Sequence, residues 1–280
     1  MNNSLSLRRE KPKRPLKKVL SQMRMARNVT AVKDHEAIKK FGHGDQKFFS
    51  EIILTTWNIW KGAGEEFFKR DFLKLAQQSN LILIQEALLT PVNEQIFLDV
   101  AVDEKLSISH AASYIRQDGC VEGVMTLSKV ETSLEPARIL CERPEFLLKT
   151  FKTALVTTYP FQQSKNKLKV INLHARLLRG PKTAATDLDF ILKKMAVDEH
   201  SGPIIVAGDF NTFSRRHLET ISAVLLSHNI KRVPIKDDPR IPRESLDQIF
   251  IRGLKVIKIK IDTSIKSSDH FPLICHLRPE

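Results

Sequence analysis

The chain has 280 residues, 42% of them hydrophobic and 28% charged, with a formal net charge of +13 at pH 7. That is enough apolar material for a sizeable core, so a wholly disordered chain is excluded, and no apolar run approaches the roughly 18 residues that a spanning helix needs. Three cysteines, Cys120, Cys141 and Cys275, odd in number and unclustered, argue against a disulfide framework and a zinc site and fit a reducing compartment.

The charge is uneven. Residues 1–30 carry nine Lys/Arg against the single acid Glu10, a net +8, which leaves +5 for everything that follows. Within this stretch Leu16, Val19, Leu20 and Met23 recur at helical spacing among basic residues. It reads either as a solvated tail or as a basic amphipathic helix for a membrane surface, a nucleic-acid backbone or a partner. Its basic start has no continuous apolar segment behind it, as a secretory signal would, so the expected location is cytoplasmic. The expected division is a tail over 1–48 and one domain over 49–280, because no Pro/Gly/Ser-rich stretch or internal repeat divides the body.

From residue 52 short β-rich apolar runs alternate with helical stretches, which reads as an α/β chain. Residues 52–57 form the first expected strand, 65–78 an amphipathic helix and 81–84 a second strand. Further strands are expected at 123–128, 151–158, 168–173, 203–207, 246–251, 254–261 and 271–277, with helices at 183–198 and 214–227. The links from 158 to 168 and from 251 to 254 are too short for a crossover helix, so hairpins are expected there. Mixed sheets follow, which argues against a simple doubly wound nucleotide fold. Neither G-x-G-x-x-G nor G-x-x-x-x-G-K-[ST] occurs, so a phosphate-cradling loop has no support.

The chemistry is concentrated at strand ends. The apolar run 203–207 stops in Gly208-Asp209-Phe210-Asn211. Alternation along an extended segment sends Asp209 and Asn211 to one side and Phe210 to the other. Such a carboxylate can deprotonate a water while the amide contacts a neighbouring oxygen, although Gly-Asp and Asn are also ordinary turn residues. Trp57-Asn58 and Gln85-Glu86 close two other apolar strands with an amide and a carboxylate, donors that suit a hard cation such as Mg²⁺. Asp247 in Leu246-Asp247-Gln248-Ile249-Phe250 can orient His270 of Ser268-Asp269-His270-Phe271-Pro272 and raise its basicity. Ser268, Asp269 and His270 are contiguous and cannot form a nucleophile–base–orienter line, which sets a Ser-His-Asp triad aside. His174 ends the strand 168–173.

Taken in order, WN, QE, LHA, GDFN, LDxIF and SDHFP across residues 57–272 resemble the endonuclease/exonuclease/phosphatase superfamily, the deoxyribonuclease I-like phosphodiester hydrolases. The phrases GVMTLS, KTALVTTYP, INLHA and GDFNTFSRR look most like a small, poorly characterised bacterial branch. The resemblance implies a four-layer α/β sandwich of two mixed sheets packed face to face with helices outside. It implies Asn58, Glu86 and Asp269 at a Mg²⁺ site, with Mn²⁺ as a substitute. It further implies Asp209 as the group acting on water, Asn211 at the scissile phosphate, Asp247 paired with His270, and His174 as a second phosphoryl-stabilising or proton-donating histidine. Glu122, before GVMTLS, is the candidate partner of His174. Lys61, Arg176, Arg179, Arg215 and Arg216 follow these motifs and are candidates to line the cleft mouth and attract phosphate.

The expected activity is a Mg²⁺-dependent phosphodiesterase with nucleic acid as partner. A second reading is a phosphatase or phosphodiesterase on phospholipid or another small phosphorylated molecule, with the basic tail as a membrane-surface anchor. A third is a non-catalytic binding module on the same fold, whose mark would be the loss of a catalytic position, and none of the eight principal ones is missing.

Overall fold

Strands that are apolar at every position can bury both faces at once, one against a second sheet and one against helices. The computed structural model describes residues 29–47, 49–63, 65–141, 152–161, 166–176, 180–236, 238, 240 and 246–280, and it uses the central strands in this way. Along the chain these residues form β1 (Ile38–Gly42), β2 (Ile52–Asn58), α1 (Glu65–Gln78), β3 (Leu81–Leu89), α2 (Pro91–Asp103), β4 (Ser107–Ile115), β5 (Val121–Ser128) and β6 (Ala137–Leu140). There follow β7 (Thr153–Tyr159), β8 (Leu168–His174), α3 (Pro181–Lys194), β9 (Ile204–Asp209), α4 (Arg215–Ser227), β10 (Lys231–Arg232), β11 (Asp247–Arg252), β12 (Leu254–Ile261) and β13 (Leu273–Pro279).

Two mixed sheets result, one in the order β1-β4-β5-β3-β2-β13-β12 and one in the order β10-β11-β9-β8-β7-β6. Leu81 and Leu83 of β3 face the second sheet and pack with Val170, Ile205, Ala207 and Ile249. Ile82 and Ile84 of the same strand face outward against Phe68 and Phe72 of α1 and Phe97 of α2. On the far side Ile171, Val206 and Phe250 meet Leu188 and Ile191 of α3 and Ile221 and Leu225 of α4. This is the four-layer sandwich that the resemblance implies. The sheets are also tied by a buried polar link. The Gln85 side chain donates to Asn172 Oδ1 at 2.7 Å, and Asn172 Nδ2 donates to the carbonyls of Met125 (2.9 Å) and Ile84 (3.2 Å).

Strand direction gathers the polar strand ends. β2 and β3 run parallel, as do β8 and β9, so each pair ends together, Asn58 beside Gln85 and His174 beside Asp209. β11 starts antiparallel to β9, with Asp247 opposite Asp209, and β13 is antiparallel to β2. Gly208 makes the β8–β9 pairing feasible, since its φ is 142° and a Cβ there would lie 2.0 Å from the Leu173 carbonyl oxygen. Gly208→Ala should therefore destabilise the fold by roughly 2–4 kcal/mol, through strain plus displacement of β8, measured by urea denaturation. An unchanged midpoint would contradict this account of the pairing.

Several expectations need correction. The folded part starts before residue 49, because β1 pairs with β4 along the sheet edge and Thr30 bridges to Ile115. The proposed amphipathic segment with Leu16, Val19, Leu20 and Met23 lies outside the described residues. β7 and β8 form the expected antiparallel pair, but the link from 251 to 254 is no hairpin. It passes through Gly253 (φ 64°) and carries the chain from the second sheet to the first, where β12 pairs with β13. α2, β1, β4, β6 and β10 were not expected from the sequence. Among the described residues no helix is long and apolar enough to cross a membrane.

Candidate active site

The strand ends meet around one carboxylate. Asp209 closes β9 and is 2% exposed. Its Oδ1 accepts the backbone N–H of Asn211 at 2.9 Å, which fixes the side chain. Its Oδ2 accepts the Asn58 amide at 3.0 Å and lies 3.8 Å from His174 Nε2 and 4.0 Å from His270 Nε2. Asn211, with φ 52°, turns away from the strand and gives one of its two amide N–H groups to the Ala175 carbonyl at 2.8 Å. Asp209, Asp247 and His270 offer ligand atoms that all lie within 4.8 Å of one another.

Each neighbour is held by a specific local device. Glu86 sits at a register shift between Ile84 and Ala87 of β3 and has φ 54°. A bulge re-aims a side chain, and here it brings Glu86 to within 3.5 Å of the Asn58 amide nitrogen. Asn58 is fixed from behind by Trp60 N–H, which donates to its Oδ1 at 3.0 Å. Ser268 Oγ donates to the Asn58 carbonyl at 2.6 Å and accepts His270 N–H at 3.1 Å, while the Trp57 indole donates to the His270 carbonyl at 3.1 Å. The end of β2 and the loop leading into β13 are thus joined through the backbone of His270.

The two histidines carry opposite electrostatics. His270 Nδ1 donates to Asp247 Oδ2 at 2.9 Å. Burial alone would push this imidazole down, but the charge and hydrogen bond of Asp247, with Asp209 and Glu86 behind it, raise it to about 9. His174 is 5% exposed, and Lys152 Nζ donates to its Nε2 at 3.1 Å. Burial and then the Lys152 charge lower His174 to about 3, against the opposing pull of Asp209 and Glu86. At neutral pH the site therefore pairs a cationic His270 with a neutral His174. For Glu86, burial raises the carboxyl, but the Lys61 charge and hydrogen bond, with Lys152 behind them, outweigh it and hold the group well below the usual carboxylate range.

Glu86 and Asn58, adjacent to each other and to Asp209, offer oxygen donors that fit a hard divalent cation, and in the neighbouring group of Asp209, Asp247 and His270 the Asp247 Oδ1 is a buried carboxylate oxygen with no hydrogen-bond partner. Asp269 is exposed, beside the enclosed His270, and is not among the acids clustered with it. Glu122 is not seen partnering His174. It pairs with Lys61 at 3.5 Å, and Lys152 occupies the His174 ring nitrogens instead.

Of the expected phosphate-attracting cations, Lys61 is in the cluster, 2.6 Å from Glu86 Oε2. Arg176 is not available to solvent. Its side chain is 2% exposed and locked onto Asp187 of α3, with Nε 2.7 Å from Asp187 Oδ2 and Nη2 on both carboxylate oxygens. Arg176→Ala should cost roughly 3–5 kcal/mol by leaving Asp187 uncompensated, read by chemical denaturation; a raised KM with unchanged stability would restore the substrate role. Arg215 is 92% exposed and paired with Glu219 one turn along α4, Arg216 is exposed, and Arg179 lies outside the described residues. Lys152 and Arg240 were missed from the sequence. Arg240 Nη1 donates to the Asp247 carbonyl at 3.0 Å and buttresses the Asp247–His270 pair.

With this geometry, the match to solved structures is one of fold. The human Nocturnin catalytic domain with bound sulfate is 18% identical, with a TM-score of 0.65 over 87% of this chain and 97% of that one. TDP2 of D. rerio complexed with single-strand DNA product is 16% identical, with a TM-score of 0.56 over 82% and 100%. Sphingomyelinase C from Streptomyces griseocarneus is 13% identical, with a TM-score of 0.57 over 81% and 99%. A family model matches residues 55–270, from the middle of β2 to His270, and so spans every strand end that builds the cluster; the chain belongs to the Endonuclease/Exonuclease/phosphatase family.

Proposed function

We propose that this chain is a divalent-cation-dependent phosphoester hydrolase, in the first place a phosphodiesterase acting on nucleic acid. The observation that carries the reading is the convergence of Asn58, His174 and His270 on Asp209 Oδ2, at 3.0, 3.8 and 4.0 Å. A carboxylate oxygen facing one amide and two imidazoles suits a position where a water loses its proton beside a phosphoryl group. Asp209 accepts that proton. His270, held cationic by Asp247, balances charge on the phosphoryl oxygens and is the site's proton donor. His174, kept neutral beside Lys152, orients rather than donates, and Asn211 contacts the scissile phosphate. Glu86 and Asn58 would hold Mg²⁺, or Mn²⁺ in its place. When bound, that ion would neutralise phosphate charge and polarise the P–O bond.

Nucleic acid is favoured by the net charge of +13, which supplies sequence-independent attraction to a phosphate backbone, and by the neighbour that carries a single-strand DNA product. A sphingomyelinase C is among the neighbours of the same fold, so the test offers both substrates. Full-length protein is incubated with plasmid, single-stranded oligonucleotide and phospholipid vesicles, each with Mg²⁺, with Mn²⁺ and with chelator. Chelator-sensitive cleavage of either nucleic acid is expected. Turnover of the vesicles alone would move the substrate to phospholipid, and no turnover of any would remove the hydrolase reading. We place the enzyme in the cytoplasm, a reading supported by three cysteines that are odd in number and unclustered along the sequence.

A further inference from the structure

Lys61 reaches the site by an unusual backbone. In the 3-10 turn that follows Asn58, Trp60 has φ 49° and Lys61 φ 61°, both in the left-handed region that non-glycine residues rarely adopt. The turn is held in place by Trp60 N–H on Asn58 Oδ1 and by the Asn93 amide, which donates to the Lys61 carbonyl at 3.1 Å. It delivers Lys61 Nζ between two acids, 2.6 Å from Glu86 Oε2 and 3.5 Å from Glu122 Oε1. Glu122 is 3% exposed, and its other oxygen, Oε2, is buried with no hydrogen-bond partner. A buried carboxylate with an empty acceptor is costly, and a native structure that keeps one needs a reason.

We infer that Lys61 is an exchangeable internal cation, neutralising Glu86 while no metal is bound and passing to Glu122 when a divalent cation takes Glu86. The inference rests on the reading of Glu86 as a metal ligand. The transfer needs little motion, because an ammonium on four methylenes has to close only the gap between 3.5 Å and an ordinary hydrogen bond to Glu122. Glu122 then keeps the displaced charge paired inside a half-buried site, where an unpaired ammonium would oppose the incoming ion. Glu122 thus acts on the metal through Lys61 and is a positioning residue. In this scheme the metal must displace a lysine to bind, so the lysine sets the affinity.

The two acids and the lysine give opposite signs on substitution, which a purely structural role would not. Removing Lys61 takes away the competitor, so Lys61→Met should bind cation more tightly. Glu122→Gln takes away the refuge, so Lys61 stays on Glu86 and binding should weaken. If Lys61 merely propped Glu86 in position, both changes would weaken binding. The test is Mn²⁺ binding to the full chain, read from the free-Mn²⁺ electron paramagnetic resonance signal, with no substrate present. Lys61→Met and Lys61→Gln should each lower Kd by about tenfold, and Glu122→Gln should raise it by roughly threefold or more. Lys61→Gln stands in if the methionine variant does not fold, and the Glu122→Gln result is scored independently of both. Unchanged or weaker binding by the Lys61 variants, or unchanged binding by Glu122→Gln, would overturn the exchange while leaving the metal site intact. No Mn²⁺ binding by wild type and all variants would instead remove the metal reading, and the exchange with it.

Discussion

Asp209→Asn should lower kcat by roughly 10²–10³-fold on whichever phosphoester the wild type cleaves, with the fold intact. The amide keeps the size of the carboxylate and can still accept the Asn211 N–H that fixes Oδ1. It cannot take a proton from water. It also places a neutral group where Asn58 donates at 3.0 Å and two imidazole nitrogens stand 3.8 and 4.0 Å away, so the electrostatic focus of the cluster is lost as well. Raising Mg²⁺ should not restore the rate if proton transfer is the lost step. Near-normal turnover by this variant would place the chemistry elsewhere.

The second large effect concerns His270. His270→Ala should also cost about 10²-fold in kcat, because it removes a cation from the phosphoryl position. The more specific expectation is in the pH dependence. Asp247, against the opposing effect of burial, raises the His270 imidazole to about 9, so its charge is complete at neutral pH and is lost as pH rises through that value. The kcat profile should therefore fall on its alkaline side near pH 9. Asp247→Asn removes the charge that raises the group, so the alkaline limb should move toward lower pH, by about 1–2 units. His174, lowered to about 3 by burial and Lys152, should contribute no limb between pH 5 and 9. An alkaline limb that stays in place in Asp247→Asn would detach it from His270.

Much of this was legible in the sequence because strand periodicity and strand-end polarity are local properties. The run 203–207 ending in Asp209 became β9 with its carboxylate at the tip, and Asp247 and His270 met at 2.9 Å as their residue types implied. What was not legible depended on neighbours distant in the chain. Lys152 opens an apolar strand and reads like any solvated strand-end lysine, and only the β7–β8 pairing brings it to His174. Arg176 follows the His174 motif closely, yet Asp187 on α3 takes it into the interior. Glu122 was expected at His174 and instead faces Lys61, because the turn at Trp60–Lys61 projects the lysine inward. The missed helix α2 had a readable signal, since Thr90 caps it by accepting the Asn93 N–H at 3.1 Å and Pro91 opens its first turn. The link at Gly253 looked like a hairpin because length excludes a crossover helix within one sheet but does not exclude a step between two sheets.

On the proposed reading, one strand-end cluster around Asp209 performs cation-dependent phosphoester hydrolysis. Its most direct test is single-turnover cleavage of an end-labelled single-stranded oligonucleotide by full-length wild type and by Asp209→Asn purified in parallel, each with Mg²⁺ and with excess chelator. Wild type is expected to cleave in Mg²⁺ only, with chelator and Asp209→Asn each reducing cleavage to background. Cleavage that persists in chelator, or that is equal in the two preparations, would contradict it.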